Sequence, residues 1–170
     1  MTSAELERLA EIGALKREPP SRREFEGLVR SAKARLIDAA NEELSIESRF
    51  DLAYNASHAL ALAALRRLGY RSENRHLVFQ ALPHTAGLAA SEWRVLSKCH
   101  ERRNLAEYEG VVDLNERLVA DLIRVAETLL AAVSALRPHL SSLGSRRRIR
   151  SRRQREKPTR SPSQPHSFRA

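Results

Sequence analysis

Ala56-Ser57-His58-Ala59-Leu60-Ala61-Leu62-Ala63-Ala64-Leu65 carries no formal charge and, wound as a helix, is apolar on nearly all sides. A helix at a protein surface keeps one polar face; one that is apolar all round is buried all round. The run lies within a longer periodic stretch, about Ile46 to Leu68. There Phe50, Ala53, Tyr54, Ser57, Ala61, Leu65 and Leu68 recur at helical spacing, and Gly69 marks the end. This segment reads as the central helix of a bundle, and its neighbours in sequence must cover it.

Working outward, the neighbours have clear signals. Of the seven prolines, only Pro83 falls between residues 21 and 137, which leaves that region free to be helical. Glycines at 13, 69, 87, 110 and 144 fall where apolar periodic stretches stop, and only Gly27 interrupts one. A short helix is expected over about Ser3–Ile12, followed by a linker closed by Pro19-Pro20. Ser21 and Glu24 form an S-x-x-E capping box for a helix to about Glu43, with Phe25, Leu28, Val29, Ala32, Leu36 and Ala39 facing inward. Beyond Gly69, a helix over about Ser72–Leu82 should stop at Pro83. Another should run from Ser91 to about Glu107, with Trp93, Leu96, Cys99 or His100, and Leu105 as inward positions. Asp113 and Glu116 repeat the capping pattern for a last helix to about Leu136. Its ladder of Leu118, Leu122, Val125, Leu129, Ala132 or Val133, and Leu136 fits a core-facing stripe better than a coiled-coil seam. No segment alternates with period two. The expected fold is all-α, an antiparallel bundle of four to five helices.

Charge divides the 170 residues into parts. Thirty Lys and Arg stand against 21 Asp and Glu, net +9, but residues 144–170 hold ten of the basic residues and one acid, Glu156. Residues 1–143 are therefore neutral overall, and the basic character belongs to the end of the chain rather than to the body. The expected organisation is a short helix and linker over 1–20, a helical bundle over 21–143, and an Arg-rich segment over 144–170. With Ile149 and Phe168 as its only large apolar residues, that segment is expected to be disordered when free. Its charge would attract polyanions without reading sequence. The longest stretch without Asp, Glu, Lys or Arg is the 16 residues His76–Ser91, short of the roughly 20 needed to span a membrane. The early acids Glu5, Glu7 and Glu11 exclude a secretory signal, so a soluble cytoplasmic protein is expected. One cysteine, and histidines without H-x3-H or H-E-x-x-H spacing, offer no zinc motif. No phosphate-cradling glycine loop or dinucleotide fingerprint is present. Neither a cofactor nor a metal is expected.

Two polar stripes carry candidate chemistry. On the helix near residue 100, His100, Asn104 and Tyr108 follow one another at four-residue intervals, flanked by Arg103 and Glu107. Together they would supply a cation for phosphate, a proton carrier and a phenol. A solvent-facing charged surface with Arg103–Glu107 pairing is the commoner outcome of such spacing. On the central helix, Tyr54 and His58 are four apart, with Asn55 beside them. A histidine in such an apolar run must find a partner or stay neutral, and most are core residues. Cys99, between Lys98 and His100, is more often an ordinary half-buried thiol than a reactive one.

These stripes carry a resemblance. Arg49-Phe50-Asp51-Leu52-Ala53-Tyr54-Asn55-Ala56-Ser57-His58-Ala59-Leu60-Ala61 resembles the long helix of HEPN domains. These are small helical bundles of prokaryotic toxin–antitoxin and defence systems, often found beside a minimal nucleotidyltransferase. Arg103-Asn104-Leu105-Ala106-Glu107-Tyr108 resembles the family's signature, an Arg, a polar residue and a His four to six positions on. The similarity covers about residues 22–136. It implies RNA or nucleotide as partner, a homodimer that joins two copies of the motif, and metal-independent ribonuclease activity. Arg103 and Asn104 match the first two motif positions, while Tyr108 stands where the His would be. A phenol of pKa about 10 is a poor general base at neutral pH, though it can donate a hydrogen bond or accept a modifying nucleotide. The resemblance thus leaves two readings, a ribonuclease with a degenerate motif and a non-catalytic interaction and dimerisation protein.

Overall fold

The structure, a computed structural model, describes residues 3–110 and 114–136, with the backbone alone at Ser3, Ala106, Glu107 and Glu109. Seven helices are found among them: α1 (Ser3–Glu11), α2 (Arg22–Ala39), α3 (Ile46–Arg67), α4 (Arg75–Gln80), α5 (Leu82–Thr85), α6 (Ala90–Glu109) and α7 (Glu116–Ala135). Residues 144–170, with all that was expected of them, lie outside the described residues.

The central helix is where the apolar run placed it. α3 packs against α2, α4, α5, α6 and α7. Ala56, Leu60, Ala61, Ala63, Ala64 and Leu65 are buried. Small side chains let the neighbouring helices come close, and Leu60 and Leu65 fill the remaining space. α7 turns Leu118, Leu122, Val125, Leu129 and Val133 inward, as a core-facing ladder, with Val119 and Ala126 beside them. Arg49 fastens three elements together. Its Nε donates to the Ala39 carbonyl at the end of α2 (3.1 Å), and its Nη1 to Glu116 at the start of α7 (2.9 Å).

Helix ends follow local hydrogen bonding. Ser21 Oγ accepts from the Glu24 amide (3.3 Å), so α2 starts as expected. The carboxylate half of that capping box does not form, because Glu24 turns to Arg66 and Arg71 instead. α2 stops at Ala39 rather than near Glu43, since Asn41 Oδ1 accepts from the Glu43 amide (3.0 Å) and closes a turn. α7 is capped by Asn115, whose Oδ1 accepts from the Leu118 amide (2.9 Å), and not by Asp113, which lies outside the described residues. Pro83 does not simply end a helix. It sits in the first turn of α5, where its missing N–H costs nothing.

One feature has no periodic signal. Lys16–Arg17 (β1) pairs antiparallel with Tyr70–Arg71 (β2), in the register Lys16 to Arg71 and Arg17 to Tyr70. Gly69 makes this approach work: its φ of 87° turns the chain out of α3, and its carbonyl accepts from the Glu18 amide at 2.9 Å. Beneath the ribbon, Arg66 is 1% exposed. It donates to Glu24 (3.0 Å), to the Glu18 carboxylate (3.2 Å) and to the carbonyls of Glu18 (3.0 Å) and Pro19 (2.8 Å). Arg71 binds the same two carboxylates, holding the Glu18 carboxyl below its ordinary range. The segment before α2 is thus tied to the end of the central helix.

Candidate functional site

The two polar stripes meet. Tyr54 Oη, fully buried on α3, lies 2.8 Å from His100 Nδ1 on α6. Asn104, one turn on from His100, donates from Nδ2 to His100 Nε2 at 3.2 Å. Nε2 therefore accepts, the imidazole proton sits on Nδ1, and Nδ1–H donates to Tyr54 Oη. Burial lowers the His100 pKa, and the charges of His76, Arg103 and Arg75 lower it further against a smaller opposing effect of Glu101. Its ring is held neutral at both nitrogens.

Arg103 reaches this place because seven residues, about two turns, bring it back to the inward face marked by Leu96. Its guanidinium lies 5.3 Å from the centre of the Tyr54 ring. The same helical count explains a correction. Leu105, nine residues from Leu96, sits about half a turn round the helix and is 44% exposed rather than inward. Cys99 does face inward, and burial pushes its thiol up to about 12 despite Lys98, so it is inert as a nucleophile.

α4, which falls within the helix expected over Ser72–Leu82, completes the cluster with polar residues that were not among the sequence candidates. Arg75 stands over the Tyr54 ring at 5.8 Å and donates from Nη1 to Asn55 Oδ1 at 3.2 Å. His76 stacks on His100, with ring centres 5.3 Å apart and planes at 30°, while Gln80 Nε2 donates to His76 Nε2 at 2.9 Å. Phe79 is buried between the two stripes, edge-on to Tyr54, His58 and His100. The available signal was the i, i+4 relation of Arg75 to Phe79 and of His76 to Gln80. In a helix of six residues that is one turn, too little to register as a period.

His58 also belongs here. Its Nε2 is buried and makes no hydrogen bond. Burial, with Arg75, Arg103 and His100 adding to it, pulls its pKa down to about 4. It stays neutral, the second of the two outcomes open to a histidine in that run. Tyr108 is not drawn in: it is 89% exposed, at the end of α6. The Glu107 side chain, and with it the Arg103–Glu107 pairing, lies outside the described residues.

The arrangement has cations, aromatic faces and amides but little negative charge. Among the described residues no group of three or more His, Cys, Asp or Glu is placed to hold a metal ion, and no helix is long and apolar enough to cross a membrane. No protein-family model matches the chain, and no curated protein matches it in sequence.

Proposed function

We propose that this chain is a HEPN-like, RNA- or nucleotide-associated protein of a toxin–antitoxin or defence module, and that the cluster between α3, α4 and α6 receives a phosphate. The observation that carries the reading is the convergence of Arg75, Arg103 and His100 on Tyr54, with His76 stacked on His100 and His58 against Phe79. Arg75 and Arg103 bring two positive charges onto the Tyr54 ring, beside histidines that burial first, and these charges second, hold neutral, and a phosphodiester would balance that uncompensated charge. Arg103 and Asn104, the residues that match the HEPN signature, stand within this cluster.

The enzymatic form of the proposal is metal-independent RNA cleavage, with Arg103 stabilising charge on the phosphate. Purified protein incubated with RNA should cleave it, and Arg103→Ala should slow cleavage by about 100-fold. Cleavage that survives this change at full rate would remove Arg103 from the site. The exposure of Tyr108 favours a second reading, binding without cleavage, since the residue at the motif's His position is outside the cluster. In that case Arg103→Ala weakens binding and no cleavage is seen with either protein. Leu105 and Tyr108, both exposed at the end of α6, would be covered if two copies met there. A nucleotidyltransferase-type protein is the partner that the HEPN likeness supports.

A further inference from the structure

We infer that α4 contributes a subsite for single-stranded RNA, in which Arg75 takes a phosphate and the His76 ring takes the adjoining base. The inference rests on the reading above and adds to it residues outside the HEPN-like motif. Arg75 is half-buried, and its one hydrogen bond is to the neutral amide oxygen of Asn55. No carboxylate pairs with it among the described residues. Arg49, Arg66 and Arg71 each hold at least one carboxylate; Arg75 instead lies over the Tyr54 ring that Arg103 also approaches. A guanidinium has five donors in a fork that matches phosphate, and most of those on Arg75 remain available.

His76 adds the second element. Its ring is packed against His100, yet the residue remains half-exposed. Stacking with a fixed neighbour holds the imidazole in one orientation, and Gln80 fixes it from the other side of the turn. A ring so held is a platform for a base, a contact worth several-fold in affinity and tolerant of base identity. Bases in a duplex have both faces covered by neighbours, so only an unpaired strand can use such a platform. Arg75 and His76 are adjacent in sequence, which suits one nucleotide with its phosphate.

The test uses the full chain and follows the imidazole proton resonances of His76 and His100, with His166 reporting separately on the Arg-rich segment. The probes are a five-residue adenine oligoribonucleotide, the same strand annealed to its complement, and adenosine monophosphate. The single strand should move both His76 and His100 saturably, and the duplex should leave them in place. Arg75→Gln should weaken the single strand about tenfold or more, while Arg30→Gln on α2, exposed and outside the cluster, should change it less than about twofold. His76→Ala, at a half-exposed position, provides an independent arm and should cost about fivefold or more. If the single strand moves His100 but both α4 variants bind within about twofold of the parent, the α4 subsite is overturned and the broader reading stands. Equal binding of duplex overturns the unpaired-strand assignment, and equal binding of the mononucleotide reassigns the site to a free nucleotide. If no probe moves either resonance, the broader reading falls as well.

Discussion

A histidine set among alanines and leucines must find a hydrogen-bond partner or give up its proton, and His58 does the second. Its folded pKa of about 4 lies below the ordinary 6.5, so the unfolded chain binds the extra proton between these values. The stability that His58 contributes is complete above about pH 6.5 and is lost as the pH falls toward 4. Between pH 7.5 and 5.0 this amounts to about 2 kcal/mol. Urea denaturation at the two pH values should show His58→Leu losing less stability than the parent by about that amount. An unchanged loss would show that His58 is not the buried neutral group. Arg66 sets the opposite case, a buried charge fully used by its partners. Arg66→Met leaves Glu18 and Glu24 with Arg71 alone and removes a donor from the carbonyls of Glu18, Pro19 and Tyr70. It should cost about 3 kcal/mol in the same denaturation experiment. Of these residues, His58 could be singled out from its apolar neighbours. The role of Arg66 could not, because its partners lie more than 40 positions away in sequence.

For whole elements, what was legible depended on length. α2, α3, α6 and α7 each have at least 18 residues, so their apolar periods repeat several times. The β1–β2 pairing has two residues on each strand and leaves no pattern to count, while α4, expected as a helix before Pro83, has six residues, so its polar face shows for only one turn. That is why Tyr54, His58, His100, Arg103 and Asn104 were found as candidates, whereas Arg75 and His76 were not. Gly27 is the remaining irregularity of α2. A methyl group built there meets no atom within 4 Å, and its backbone is ordinary helix. Glycine in that position only widens the freedom of the unfolded chain. Gly27→Ala should therefore raise stability by about 0.5–1 kcal/mol. A decrease in thermal midpoint would mean that this face of α2 is covered by something that the extra methyl disturbs.

Over the whole molecule, the division between a neutral body and a basic end gives the proposed RNA association two separable sources. The buried core residues described all lie between Leu6 and Val133, while ten of the basic residues and a single acid fall in the 27 residues 144–170. Cations on a segment of that composition attract phosphate without reading bases, whereas the α3–α4–α6 cluster presents a few groups in fixed places. The two differ in how salt affects them. Each phosphate neutralised adds about 0.7–0.9 to the magnitude of the slope of log K against log salt, so ten available cations dominate that slope and a single-nucleotide site barely changes it. A chain ending at Leu143 should show a much flatter slope on RNA between low and physiological salt, with its thermal midpoint nearly unchanged. What remains at physiological salt should be the share carried by the cluster, and Arg103→Ala in the shortened chain should abolish it. Equal slopes for the full and shortened chains would show that the Arg-rich segment takes no part, leaving the neutral body to account for all of the binding.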